Sequence, residues 1–166
     1  MKRNTIEKIA VTLVLVLWYF LMPQTACLPA NEDLSHYTYL LCHANIWHLA
    51  GNLFVLWLMK GNLHLPSSLL IAVFCSFLPA VGSIFDGFLL GDGTMGFSGV
   101  LFAMAGVKWG KYIWRQTDKQ LQHAATKKFM IQVLPFALVG VVIPHISWCI
   151  HLYCLLMGFV YGRCRR

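Results

Sequence analysis

Charge is what this sequence has least of. Asp, Glu, Lys and Arg make up 11% of its 166 residues, against 58% hydrophobic residues. A soluble domain carries about 25% charged residues. Too few charges remain here to coat a water-facing surface, and the mean hydropathy of +0.65 points to lipid as the main solvent.

Acidic residues are scarcer still, with 6 Asp and Glu against 13 Lys and Arg and a net charge of +7. That balance raises nucleic acid as a partner, a reading the placement of the charges removes. No cysteine spacing matches a zinc site. Cys75, Cys149 and Cys154 fall in apolar segments, where they act as small hydrophobes. Cys27 and Cys42 share one loop and can pair if that loop faces an oxidising space. Internal repeats and low-complexity linkers are also missing. This argues against a transporter built of repeated halves and for one domain over residues 1–166.

What is present is a series of long apolar runs. A spanning helix needs about 20 mostly apolar residues. Six segments qualify, at residues 6–22, 46–63, 67–84, 97–114, 129–143 and 146–162, with Lys108 and Lys111 intruding on the fourth. The first has a rival reading as a signal peptide cleaved after Ala26. The apolar run is long for that, and Gln24 suits the −3 position poorly, so a retained span is expected. With six spans and the N-terminus inside, the inner segments hold all 13 Lys and Arg residues: Lys2 to Lys8, Lys60, Lys108 to Lys128, and Arg163 to Arg166. The outer segments hold Glu32, Asp33, Asp86 and Asp92 instead. This partition follows the rule that cytoplasmic loops carry the basic residues. It turns them into membrane-flanking anchors on four separate segments, not a nucleic-acid surface. The expected fold class is therefore all-α, a polytopic bundle of six transmembrane helices with both termini cytoplasmic.

This topology sends spans two, four and six in the same direction. Their outer ends carry His48 and Asn52, Ser98, and His151. Polar groups inside a membrane are costly and face a bundle interior or a watery cavity. Ser98 lies in Gly96-Phe97-Ser98-Gly99. A serine hydroxyl needs a base to become a nucleophile, and a helix N-terminus suits a developing oxyanion. The G-x-S-x-G elbow of soluble hydrolases is absent, because Val100 follows Gly99. His151, Cys154 and Gly158 share one helix face, giving a base and two small residues that can pack closely on the serine helix. His48 and Asn52 are one turn apart and can donate hydrogen bonds to an oxyanion. Each motif alone is explained as well by interhelical packing and hydrogen bonding. Their joint occurrence at one depth on three parallel spans is the signal.

In these residues the sequence resembles the rhomboid intramembrane serine proteases. The family pattern is H-x-x-x-N in span two, G-x-S-G in span four and A-H-x-x-G-x-x-x-G in span six. Here these read His48 to Asn52, Gly96 to Gly99, and Ile150-His151 through Cys154 to Gly158. His43 fits a histidine often seen in the preceding loop. The chain departs from the pattern at Ile150, at Cys154, and at Phe102, where a tyrosine is frequent. Residues 23–45 also lack a Trp-Arg element, and the connection near Pro144-His145-Ile146 is short.

The resemblance implies a serine endopeptidase acting by a Ser98–His151 dyad. The oxyanion would be held by His48, Asn52 and the Ser98 backbone N–H, with Gly96, Gly99, Phe102, Cys154 and Gly158 in support. His145 competes as base, but His151 has the family spacing and the depth. The implied substrate is a transmembrane segment of another protein, cut near its outer boundary. The expected partners are such substrates and the bilayer. No metal, organic cofactor or nucleic acid is expected. The expected setting is a bacterial inner membrane and the expected state a monomer. The rival readings are an inactive rhomboid-like protein that binds membrane clients, and a haem protein using His48 and His151.

Overall fold

A computed structural model of the chain describes residues 3–26, 34–79, 84, 93–143 and 146–165. Among these residues the secondary structure is helical, with no strand: α1 (Arg3–Leu21), α2 (Ser35–Thr38), α3 (Ile46–Leu58), α4 (Leu65–Ser76), α5 (Ser98–Arg115), α6 (Lys119–Val142) and α7 (Trp148–Cys164). Among the described residues, α1 and α6 are long and apolar enough to cross a membrane, and α3 and α4 are apolar but shorter. Leu13, Leu17, Phe54, Leu70 and Phe136 are exposed, as an outer surface solvated by lipid requires.

Helix ends differ from the hydropathy boundaries in three places, because hydropathy reports burial in lipid and not the end of backbone hydrogen bonding. The segment 46–63 stays helical only to Leu58, after which Met59 is extended and Gly61 has φ 73°. The carbonyls left open there are met by Lys8, whose Nζ donates to Trp57 O at 2.9 Å and Met59 O at 2.5 Å. A cation is favoured at a helix C-terminus, and this one also lies over the Trp57 ring. The segment 67–84 is helical from Leu65 to Ser76, with residues 80–83 outside the described set. The segment 129–143 is the second half of a helix that begins at Lys119. Asp118 caps it, its side chain accepting from the N–H groups of Gln120 and Leu121, so the polar stretch before residue 129 is helical as well.

Of the long connection 23–45, residues 35–43 pack into the bundle. They contain α2, and Tyr39, Leu40, Cys42 and His43 are buried. Tyr39 donates its hydroxyl proton to Ala72 O on α4 at 2.7 Å. His36 lies 2.8 Å from Ser76 Oγ and stacks on Phe77. Cys42 is buried, and Cys27 falls outside the described residues.

The tightest seam joins α5 and α7, which run parallel. A Cβ on Gly106 or Gly110 would strike the α7 backbone at Leu155 or Phe159, and one on Gly158 or Gly162 would strike Ala103 or Val107. Small residues at four-residue intervals let two helix backbones touch, the interface membranes favour. One turn above, Gly99 faces the Cys154 thiol, so the missing side chain on α5 makes room for the cysteine on α7. The pairs Gly99–Cys154, Ala103–Gly158 and Val107–Gly162 advance in step. That register brings the first turn of α5 beside the first turn of α7.

Candidate active site

Ser98 opens α5 and His151 lies in the first turn of α7. The seam sets His151 Nε2 at 2.8 Å from Ser98 Oγ. His151 is buried, and the Phe102 ring, one turn along α5 from the serine, covers it at 4.6 Å between centroids and an interplanar angle of 30°. Nε2 accepting the serine proton leaves the ring proton on Nδ1. That nitrogen is buried and has no hydrogen-bond partner among the described residues. The described carboxylates are engaged elsewhere: Glu7 pairs with Arg3, and Asp118 caps α6. The arrangement is a serine–histidine pair whose imidazole is oriented by packing.

Asn45 caps α3, accepting from the His48 N–H at 2.9 Å. The helix then presents His48 and Asn52 on one face. Both reach the backbone just ahead of the serine. A Cβ on Gly96 would fall 2.7 Å from His48 Cε1 and 3.4 Å from Asn52 Nδ2. Gly96 also has φ 112°, a conformation side chains rarely adopt, so this position needs glycine on both counts. Asn52 is buried, and its Nδ2 has no hydrogen-bond partner among the described residues. A buried donor left unpaired costs about 1–3 kcal/mol. Two such groups, on Asn52 and His151, around one serine mark a place where polar capacity is held in reserve. The first N–H groups of α5 have no partner within the helix and carry its positive dipole end. Their position suits a developing negative charge beside Ser98.

The segment ahead of Ser98 is fixed from the first loop. Gly96 N–H donates to Tyr39 O at 2.8 Å, and Phe97 N–H donates to His43 Nε2 at 3.4 Å. With Nε2 an acceptor, the His43 proton sits on Nδ1, which faces Leu41 O at 3.1 Å. Burial, reinforced by the neighbouring His48, lowers the His43 pKa to about 4, while the Leu41 carbonyl acts in the opposite sense. The imidazole is therefore neutral, as both of its bonds require. On the other side Ser147 Oγ donates to Gly93 O at 2.8 Å.

The structure thus gathers every residue the motifs singled out: Ser98, His151, Phe102 and Gly99 from α5 and α7, His48 and Asn52 from α3, and Gly96 between them. Cys154 and Gly158 lie on the α5–α7 seam. His145 is outside the described residues. Tyr39 was not legible as part of the site. Its carbonyl acts through a backbone bond to Gly96, for which a side-chain motif gives no signal.

The Rhomboid domain family matches residues 30–166, most of the chain. The chain belongs to the rhomboid family. Rhomboids are membrane proteins, generally intramembrane serine proteases that act on transmembrane substrates, and inactive members exist. No curated protein matches the chain. The rhomboid assignment agrees with the apolar helices, and it covers every residue of the Ser98 cluster.

Proposed function

We propose that this rhomboid is an active intramembrane serine endopeptidase. The observation that carries the reading is the 2.8 Å contact between His151 Nε2 and Ser98 Oγ, beside the unpartnered Asn52 amide. His151 takes the Ser98 proton as Oγ attacks the scissile carbonyl. The carbonyl oxygen becomes an oxyanion held by the Ser98 N–H and by the side chains of His48 and Asn52. His151 then protonates the leaving amine, and the acyl-enzyme is hydrolysed by water that His151 deprotonates. Phe102 keeps the imidazole in plane without a carboxylate.

The substrate is a transmembrane segment of another protein, cut near its outer boundary. The protein forms one domain of six spans with both termini in the cytoplasm, in a bacterial inner membrane. The hydrogen bonds of Lys8 to Met59 O, Lys108 to Lys60 O and Arg165 to Ser67 Oγ support this topology. The first two join three of the four basic segments, and the third ties Arg165 to the first turn of α4, away from Ser98.

The reading is tested by reconstituting the chain with reporters whose transmembrane segment carries helix-breaking residues near its outer end. The wild type is expected to release a cut product and Ser98→Ala none. A product formed equally by both would overturn the assignment.

A further inference from the structure

At the other end of α5 from Ser98 lies a cavity of about 380 Å³ that the proposed chemistry does not use. At 1.5 Å per residue the two ends of this helix are roughly 25 Å apart. The cavity lies between the α3–α4 connection and the last turns of α5. Its lining brings together Lys60, Lys108, Lys111 and Arg115 with His64 and Tyr112, and among the described residues it contains no acidic side chain. Among the described residues the one ion pair, Arg3–Glu7, is on α1.

Helix C-termini attract cations, so some of this charge has an ordinary explanation. Lys108 Nζ donates to Lys60 O at 2.8 Å, and Lys8 serves the α3 carbonyls. Those two account for the open carbonyls of α3 and the turn after it. Among the described residues Lys111 meets an imidazole, with Nζ 3.5 Å from His64 Nε2, and no carboxylate pairs with Lys111 or Arg115. His64 itself is held in the left-handed region at φ 54°. Its pKa is lowered by burial and then by Lys111, Lys108, Arg165 and Arg115, so the field of the cavity is positive on a group that none of its own neighbours neutralises. Uncompensated cations in a concave site between helix ends are a receptor for a multivalent oxygen anion. Guanidinium and ammonium donors together suit phosphate.

The surroundings favour a lipid over a free ion. The last turn of α3, leading into the cavity, exposes Trp57 and Leu58, and Tyr112 in its wall is exposed as well. Acyl chains can lie on such a surface while the headgroup enters the cavity. Basic pockets between helices on the cytoplasmic side are where anionic headgroups bind.

We propose that this cavity binds a phosphate group, presented as the headgroup of an anionic glycerophospholipid. Lys111 and Arg115 are its main contacts, and Lys60, Tyr112 and the bound Lys108 form the surround. The site needs no proteolysis for its detection, so it stands or falls separately from the Ser98 chemistry.

The test uses the full chain in nanodiscs of equal phosphatidylglycerol and phosphatidylcholine, with retained lipid counted by native mass spectrometry. The wild type is expected to retain phosphatidylglycerol over phosphatidylcholine by roughly ten-fold. Lys111→Gln/Arg115→Gln is expected to lose that preference. Lys127→Gln/Lys128→Gln, which removes the same charge from exposed positions on α6, is expected to keep it. No preference in the wild type would overturn the proposal whether or not the variants fold. Equal loss in both double variants would also overturn it, by showing diffuse surface attraction only. A separate arm adds millimolar inorganic phosphate to the wild type. Failure to displace the lipid supports the headgroup. Full displacement would overturn the lipid assignment and leave a site for free phosphate.

Discussion

At the scale of single residues, the proposed oxyanion site holds a buried donor left without a partner among the described residues. Asn52 Nδ2 is buried and unpaired among the described residues, beside the backbone that leads to Ser98. Removing one oxyanion donor typically costs about 10²–10³ in kcat. Asn52→Ala is therefore expected to cleave a reporter substrate in that reduced range, with KM changed much less. A variant as fast as wild type would remove Asn52 from the oxyanion site. His43 works differently, since it holds the Phe97 N–H ahead of Ser98. Its folded pKa of about 4 is below the ordinary 6.5, so below pH 6.5 the unfolded chain takes up the proton first. Its contribution to stability is full above that value and is lost as pH falls from 6.5 toward 4. The thermal midpoint in detergent is expected to drop between pH 7 and pH 5, and to drop less in His43→Gln. An equal drop in both would show that His43 does not report that proton. These residues were legible as types at spacings. What was not legible was the Gly96 geometry, where a positive φ and the approach of His48 combine, because neither leaves a mark beyond a single glycine.

At the scale of elements, the α5–α7 seam is what places serine against histidine. Gly158 touches the Ala103 backbone, and a side chain there has nowhere to go. Overpacking a close contact costs typically about 1–3 kcal/mol, and here backbone faces backbone. Gly158→Leu is expected to lower the thermal midpoint sharply and to abolish activity by separating Ser98 from His151. Gly51, on α3 beside Asn52, is the contrast. A Cβ there meets nothing within 4 Å, and glycine in a helix interior is about 0.5–1 kcal/mol worse than alanine. Gly51→Ala is expected to be as stable as wild type or slightly more so. Equal damage from both would mean the seam is not the organising contact. The sequence carried half of this seam, through Gly99, Cys154 and Gly158. Gly106, Gly110 and Gly162 continue it at the same four-residue interval. Cys154 seemed to interrupt the pattern, yet the opposing Gly99 absorbs its thiol. Whether a small residue is needed depends on what lies across the interface, which one helix's sequence does not contain.

At the scale of the whole molecule, hydropathy located three of the helices closely, and it failed where hydrogen bonds take over. The apolar segments at 6–22, 97–114 and 146–162 correspond closely to α1, α5 and α7. The long α6 and the short α3 and α4 do not follow their segments, since a polar stretch can be helical and an apolar one extended. The first loop is fixed by bonds between residues far apart in the chain, such as Tyr39 to Ala72 O and His36 to Ser76. Local pattern holds no trace of those. Lys8, Lys60 and Lys108 meet at one end of the bundle and the polar motifs around Ser98 lie at the other.

The proposed chemistry at Ser98 is probed most directly by labelling the detergent-purified protein with a fluorescent fluorophosphonate, which reacts only with an activated serine. Wild type is expected to label, and Ser98→Ala and His151→Ala are expected to remain dark. Labelling of either variant at the wild-type level would contradict the assignment of Ser98 as nucleophile or of His151 as its base. So would an unlabelled wild type beside a labelled active membrane serine protease.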